Sequence, residues 1–389
     1  MPKLLTLQVA RGTAANLVVL AHLFAVEGKY THGGVLPSFT YYGVAGVDLF
    51  FVLSGFIMVA VAGRGVGPWE FLWRRAARIY PTYWLVTLVV LAVTVVAPEM
   101  ANSSINEPIS IWRSFLLVPA RTPPLLAVGW TLVHEIYFYL VFAIFLALRI
   151  PILFGLIAWG LVLLTVTMTM PNATAASPVL SLVTNPLTAE FMMGSIVGLL
   201  WVRRRTPGAV SVGVIGVAAF AFSLVYLAPA LSLSTSAHLD TWRVLIFGIP
   251  SALVLYALAA AEHRTEPPLP QKWFVAIGEW SYAAYLVHVL VISAIGRVLV
   301  LFVPAGGIGA SLVLVWVGIV MANVAGAVIH ILFERPTLNW LHQLGSSVRL
   351  PEVRAGRQAR DDGKRVSASP MRAGKRAKVE SATLGALHR

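Results

Sequence analysis

Cysteine is absent from the 389 residues, which excludes a disulfide framework, a thiolate metal site and a cysteine nucleophile. Charge is scarce: Asp, Glu, Lys and Arg make up 12% of the chain, against about 25% in an ordinary soluble domain. Acidic residues are the rarer sign, 16 against 29 basic ones, for a net charge of +13. With 58% hydrophobic residues and a mean hydropathy of +0.81, these shortages describe a polytopic membrane protein. Nucleic acid does not suit as a partner, because the bulk of the chain belongs in the bilayer. No group of His and carboxylates has metal-ligand spacing, so no metal site is expected.

What the chain has in quantity is long apolar runs. Ten are long enough to span, at 4–26, 41–62, 80–97, 125–148, 151–170, 187–202, 210–228, 242–261, 273–303 and 308–333. The run 187–202 is the weakest, being short and carrying Glu190, and 273–303 is long enough to require tilt. The first run should be retained rather than cleaved, since Arg11 interrupts it and no small-x-small site follows. Numbering from a cytoplasmic N terminus puts Lys3, Arg64, Arg74, Arg75, Arg78, Arg149, Arg203 to Arg205, Arg264 and Lys272 on one side. The opposite loops then hold only Lys29, Arg113, Arg121 and Arg243. That bias predicts an all-α integral membrane protein of about ten transmembrane helices with both termini cytoplasmic. Residues 1–344 form the membrane domain. Residues 345–389, rich in Arg, Lys, Ala, Ser and Gly, are too polar to bury a core and read as a basic disordered cytoplasmic tail.

Ionisable groups inside apolar spans are expensive and usually functional. The first span carries two, Arg11 and His22. Eleven residues at 1.5 Å each put them roughly 16 Å apart after about three turns, on one face of a helix. A bland alternative has Arg11 snorkelling to the headgroups and His22 ending the helix. Ahead of the third span, PWEFLWRRAARIYPTYW sets Arg74, Arg75 and Arg78 among aromatics. Arg75 and Arg78 are helical neighbours, able to grip phosphate oxygens together, although such clusters also serve as topology anchors. The remaining polar set is Asp48 and Ser54 in GVDLFFVLSGFIM, His134 and Glu135 in GWTLVHEIYFY, Tyr282, Tyr285 and His288 in WSYAAYLVH, and Glu334 in FERP. Asp48 and Glu135 should face the bundle interior and find Arg or His partners. Tyr282, Tyr285 and Glu334 read more simply as interhelical hydrogen bonds. The whole set is too large for glue alone and implies an internal polar cavity.

QVARGTAANLVVLAH, GVDLFFVLSGFI, RRAARIYPTYW, WTLVHEIYFY, SYAAYLVH and FERP, in this order from Leu4 to about Trp340, resemble the membrane-bound acyltransferase-3 family. With Gln8 ahead of the first motif, the chain is similar within that family to the exopolysaccharide O-acetyltransferase branch. The resemblance implies a multi-pass enzyme of the bacterial inner membrane. Such an enzyme passes an acyl group, usually acetyl, from cytoplasmic acyl-CoA (acetyl-CoA as the usual donor) to a carbohydrate hydroxyl at the far face, in some cases alongside polysaccharide assembly machinery. Carried over by residue, the family's essential arginine and histidine match Arg11 and His22. Its paired arginines, implicated in acyl-CoA handling, match Arg75 and Arg78, and the glutamate of its tryptophan motif matches Glu135. Asn16 departs from the aliphatic residue more usual there.

Both lines of reading lead to one expected mechanism. His22 removes the proton of a sugar hydroxyl, or alternatively carries the acyl group itself. Arg11, Arg75 and Arg78 supply positive charge to the oxyanion and the anionic donor. Glu135 or Asp48 orients the imidazole or balances Arg11, with His134 and His288 as weaker candidates for the same work. A transporter of a lipid-linked glycan or small solute also fits ten spans with buried charges. Against it, no second copy of the Arg11 to His22 pattern occurs in the later half, where an internal repeat would place one.

Overall fold

The computed structural model describes residues 4–32, 34–63, 65–97, 110–170, 177–231, 241–263, 272–303 and 307–347. Among them there is no strand. The helices are α1 (Leu5–Tyr30), α2 (Gly46–Ala62), α3 (Pro68–Val96), α4 (Ile111–Leu116), α5 (Trp130–Ala147), α6 (Ile152–Thr169) and α7 (Pro178–Val183). They continue with α8 (Thr188–Val202), α9 (Ala209–Phe222), α10 (Ile249–Ala261), α11 (Lys272–Phe302), α12 (Ile308–Ile329) and α13 (Arg335–Ser347). Among the described residues, nine helical stretches are long and apolar enough to cross a bilayer. The expected tenth, α8, has only 15 residues. The basic segment placed after residue 344 lies outside the described residues beyond Ser347.

Several elements are longer than the apolar runs that announce them. α3 begins at Pro68, so the arginine-rich stretch is not a loop but the first turns of the third spanning helix. Pro68 suits that start, because its missing N–H would be unbonded in a first turn anyway. A 3-10 stretch, Ser38–Ala45, leads into α2. π-helical turns at Ser223–Leu227, Val244–Gly248 and His330–Glu334 interrupt the α-helical bonding. Each inserts a residue into the helical period and so re-aims the side chains beside it.

Packing follows small residues and aromatic rings. α1 lies on α11, α2 on α8, α9 on α10 and α11 on α12. The α2–α8 contact requires glycine on both sides. A Cβ on Gly55 would stand 2.0 Å from the Phe191 carbonyl oxygen, and one on Gly194 would stand 1.8 Å from that of Val52. Such backbone approach is what small residues permit in membrane helix pairs. Beside it the rings of Phe138, Phe142, Phe145, Trp159 and Phe191 belong to the largest core cluster. Phe138 and Phe191 have ring centres 4.4 Å apart. At the far end of α1, Thr31 and Ser311 share a 2.6 Å hydroxyl contact that ties α1 to α12.

Asp48 finds its partner in Arg243. The Arg243 Nε donates to Oδ1 and Oδ2 of Asp48 at 2.9 and 3.2 Å, and Nη2 donates to Oδ2 at 2.7 Å and to the Val44 carbonyl at 3.1 Å. Both side chains are buried, so Arg243 is not the loop cation its place in the charge distribution suggests. It immediately precedes the π turn Val244–Gly248. Glu190 of α8, fully buried, stands beside this pair. A buried fork of this kind costs heavily when one partner is removed, because the other stays desolvated and unpaired. Arg243→Met is therefore expected to destabilise the protein by about 3–5 kcal/mol. The loss is read as a lowered melting midpoint, or loss of the folded peak, in detergent size-exclusion chromatography.

Candidate active site

Three arginines from two helices converge on one internal cavity of about 120 Å³, room for several waters. Arg11 enters from α1, and Arg75 and Arg78 enter from α3, one turn apart. Ser54 of α2, Glu135 and Tyr139 of α5, and Tyr282 and Tyr285 of α11 complete the polar lining. The rest of the wall is apolar, including Phe50, Phe51, Leu53 and Ile57. Placing Arg75 and Arg78 on the same strip of α3 follows from their three-residue spacing.

The arginines are held differently. Arg78 forms an ion pair with Glu334, the last residue of the π turn His330–Glu334. Glu334 also accepts from His330 Nδ1 at 2.9 Å. The Arg78 guanidinium lies 5.5 Å from the ring centre of Tyr282, whose hydroxyl donates to the Ile79 carbonyl at 2.8 Å. Arg75 rests 5.8 and 5.9 Å from the ring centres of Phe71 and Tyr139. Its Nε is buried without a hydrogen-bond partner. Among the described residues, neither Arg11 nor Arg75 has a carboxylate within ion-pair distance. Two guanidinium groups thus face a small cavity with donors to spare, the arrangement that receives an anion.

Glu135 is anchored within the same cavity. Its Oε1 accepts from Ser54 Oγ at 3.0 Å and from Tyr139 Oη at 2.5 Å. Tyr285 and Thr131 bring their hydroxyls within 3.0 Å of each other, and Tyr285 also donates to the Val128 carbonyl at 3.2 Å.

His22 lies beyond this lining, on the same unbroken α1 as Arg11. Its Nδ1 is 2.9 Å from the Val18 carbonyl and 3.3 Å from Nε2 of His288. The two rings stand edge to face with centres 4.8 Å apart. His288 is in turn 5.8 Å, ring to ring, from the cavity-lining Tyr285. A carbonyl can only accept, so the proton of neutral His22 belongs on Nδ1 and its Nε2 carries the lone pair.

The sequence-predicted residues divide accordingly. Arg11, Arg75, Arg78, Glu135, Ser54 and Tyr282 meet in the cavity, and His22 meets His288 next to it. Arg74 does not join them. It pairs with Glu70 at 2.5 Å on a half-exposed helical turn. His134 is buried against Trp130 and Phe51 and does not line the cavity, and Asp48 belongs to the Arg243 fork. Tyr282, Tyr285 and Glu334, read from sequence as interhelical hydrogen bonds, make them: Tyr282 to the Ile79 carbonyl, Tyr285 to Thr131 and the Val128 carbonyl, and Glu334 to Arg78, while the two tyrosines also line the cavity. Tyr139 and Thr131 also line it without having been singled out, although Tyr139 stands one turn from Glu135, where a partner is to be expected.

The acyltransferase-3 family model, described as an acyltransferase domain, matches residues 4–332. The chain belongs to the acyltransferase-3 family. It is 32% identical over 333 residues to the exopolysaccharide production protein ExoZ of Rhizobium meliloti (strain 1021), covering 82% of this chain and 95% of that one. It is 27% identical over 345 residues to the acyltransferase MdmB of Streptomyces mycarofaciens, covering 79% of this chain and 84% of the relative. No solved structure matches the chain. The chain is therefore a multi-pass membrane O-acyltransferase, and family membership favours the enzyme over the transporter.

Glu334 holds Arg78 at the cavity wall, so the two residues are energetically coupled. A double-mutant cycle over Arg78→Met and Glu334→Gln is expected to give a coupling of about 1.5–3 kcal/mol, the range for hydrogen bonds to charged groups. Thermal or denaturant unfolding in detergent measures it; additive losses would contradict the pairing.

Proposed function

We propose that this acyltransferase takes an acyl group, usually acetyl, from cytoplasmic acyl-CoA and transfers it to a hydroxyl of a cell-surface or exported carbohydrate. In this reading the protein sits in a bacterial inner membrane with both termini cytoplasmic. The single observation that carries it is an arginine-lined cavity, two of whose guanidinium groups have no acidic partner among the described residues, with His22 beside it holding Nδ1 against the Val18 carbonyl so that Nε2 is the nitrogen free to accept a proton. The carbohydrate acceptor is supported by the name of one relative, an exopolysaccharide production protein.

Each residue then has a chemical task. Arg75 and Arg78 hold the phosphates of the donor, forks against phosphate oxygens. Arg11, on the same cavity wall, adds a third positive charge toward the anionic donor. His22 Nε2 takes the proton of the acceptor hydroxyl while the hydroxyl oxygen forms a bond to the acyl carbon. The carbon–sulfur bond breaks, and the proton held on His22 passes to the departing thiolate, which leaves as the free CoA thiol and restores the neutral imidazole. Glu135, fixed by Ser54 and Tyr139, balances the arginine charge inside the cavity.

Two outcomes test this reading. In a host lacking the activity, the native chain is expected to add O-acyl groups to surface glycans, and His22→Ala at matched membrane levels is expected to add none, by mass spectrometry. Arg75→Ala is expected to weaken CoA binding to the purified protein roughly ten- to a hundredfold, the loss of about 1.5–3 kcal/mol of charge-assisted hydrogen bonding. Isothermal titration with CoA measures it, and unchanged affinity would remove Arg75 from the donor site.

A further inference from the structure

We infer that His288 is a positioning residue that fixes the tautomer of His22 and turns Nε2 into the base; this rests on the reaction proposed for His22. His288 is fully buried on α11. Its Nδ1 is 2.7 Å from the Tyr285 carbonyl, an acceptor without a proton to give. The proton of His288 is thus committed to Nδ1, and Nε2 presents a lone pair. That lone pair faces His22 Nδ1 at 3.3 Å.

His22 Nδ1 therefore meets two acceptors, the Val18 carbonyl at 2.9 Å and His288 Nε2 at 3.3 Å. The alternative tautomer would turn a nitrogen lone pair against both. The Val18 carbonyl is also the normal helical acceptor for the backbone N–H of His22, four residues on, so it is shared. His288 Nε2 is the acceptor dedicated to the ring. Its relation to His22 is the one a carboxylate holds toward the histidine of a hydrolase triad, with a neutral imidazole as orienter. When His22 Nε2 takes the acceptor's proton, the ring becomes a cation and its Nδ1–H bond to His288 strengthens. His288 itself gains and loses no proton.

From sequence His288 is only a weaker candidate for orienting the imidazole, 266 positions away; the structure puts the two rings in contact. A buried histidine in an aromatic stretch also serves as packing, and the test separates the two roles. His288→Gln keeps an acceptor oxygen near the place of Nε2, whereas His288→Leu fills similar space without one. His288→Gln is expected to keep kcat within about tenfold of native. His288→Leu is expected to lose at least about a hundredfold in kcat, the low end of a general base's contribution, with KM for acyl-CoA unchanged. A second readout does not depend on turnover: nitrogen NMR of histidine-labelled protein in detergent, with the His22 signals assigned by their disappearance in His22→Asn. Native protein should show His22 protonated at Nδ1 and bare at Nε2, and His288→Leu a mixture of tautomers. Equal kcat for Gln and Leu, or an unaltered His22 tautomer in His288→Leu, overturns the assignment. The NMR result stands or falls independently of whether the reaction is acyl transfer.

Discussion

A guanidinium held two turns inside an apolar helix must be met by polar groups from other helices, because hydrocarbon offers none. Arg11 imposes that condition on the whole bundle. α2, α3, α5 and α11 each bring a polar side chain to the cavity it enters: Ser54, Arg75 with Arg78, Glu135, and Tyr282. The carboxylates near it are secured elsewhere, Glu135 by two hydroxyls and Glu334 by Arg78 and His330. The result is a chamber with room for several waters, its polar side carrying three guanidinium groups and the rest of its wall apolar.

A second buried charge pair shows the same physics put to another use. Asp48 and Arg243 satisfy each other so fully that they present nothing to the cavity, and they lock the start of α2 to the helical turn Thr241–Arg243 that leads through the π turn into α10. Both buried pairs adjoin a π turn: Arg243 precedes Val244–Gly248, and Glu334 ends His330–Glu334. The extra residue in each turn aims a side chain that a regular helix would direct elsewhere. Two of the three π turns among the described residues thus stand beside a charge pair; the third, Ser223–Leu227, does not.

Apolar runs were enough to place nearly every helix in the sequence, since a span of apolar residues in lipid has few alternatives to being helical. They under-read α3, because the aromatic and arginine-rich residues 68–79 look like a loop by hydropathy while their three-residue spacing is helical. They cast doubt on α8 for being short, and it is: a fifteen-residue helix packed backbone to backbone on α2 through Gly55 and Gly194. Arg11 stood out because fixed charge in a span demands explanation, and Arg75 with Arg78 because their spacing makes them helical neighbours; all three line one cavity. The partners were not. Asp48 and Arg243 are 195 positions apart, and nothing in either local pattern names the other. Tyr282 and Tyr285 look like ordinary amphipathic residues until α11 is seen to turn them into the cavity. Arg74 shows the converse: adjacent to Arg75 in sequence, it falls on another face of α3 and pairs with Glu70.

The central claim is directional: donor enters from the cytoplasmic face, where the arginines are assigned, and the acyl group leaves through His22 toward the other. Sealed membrane vesicles of both orientations, given acyl-CoA with a radiolabelled acyl group on the outside only, test it directly. Inverted vesicles, whose outer surface is the cytoplasmic face, are predicted to transfer label to carbohydrate, and right-side-out vesicles to transfer none. Equal labelling in both orientations, or none in either with intact protein present, would contradict the account.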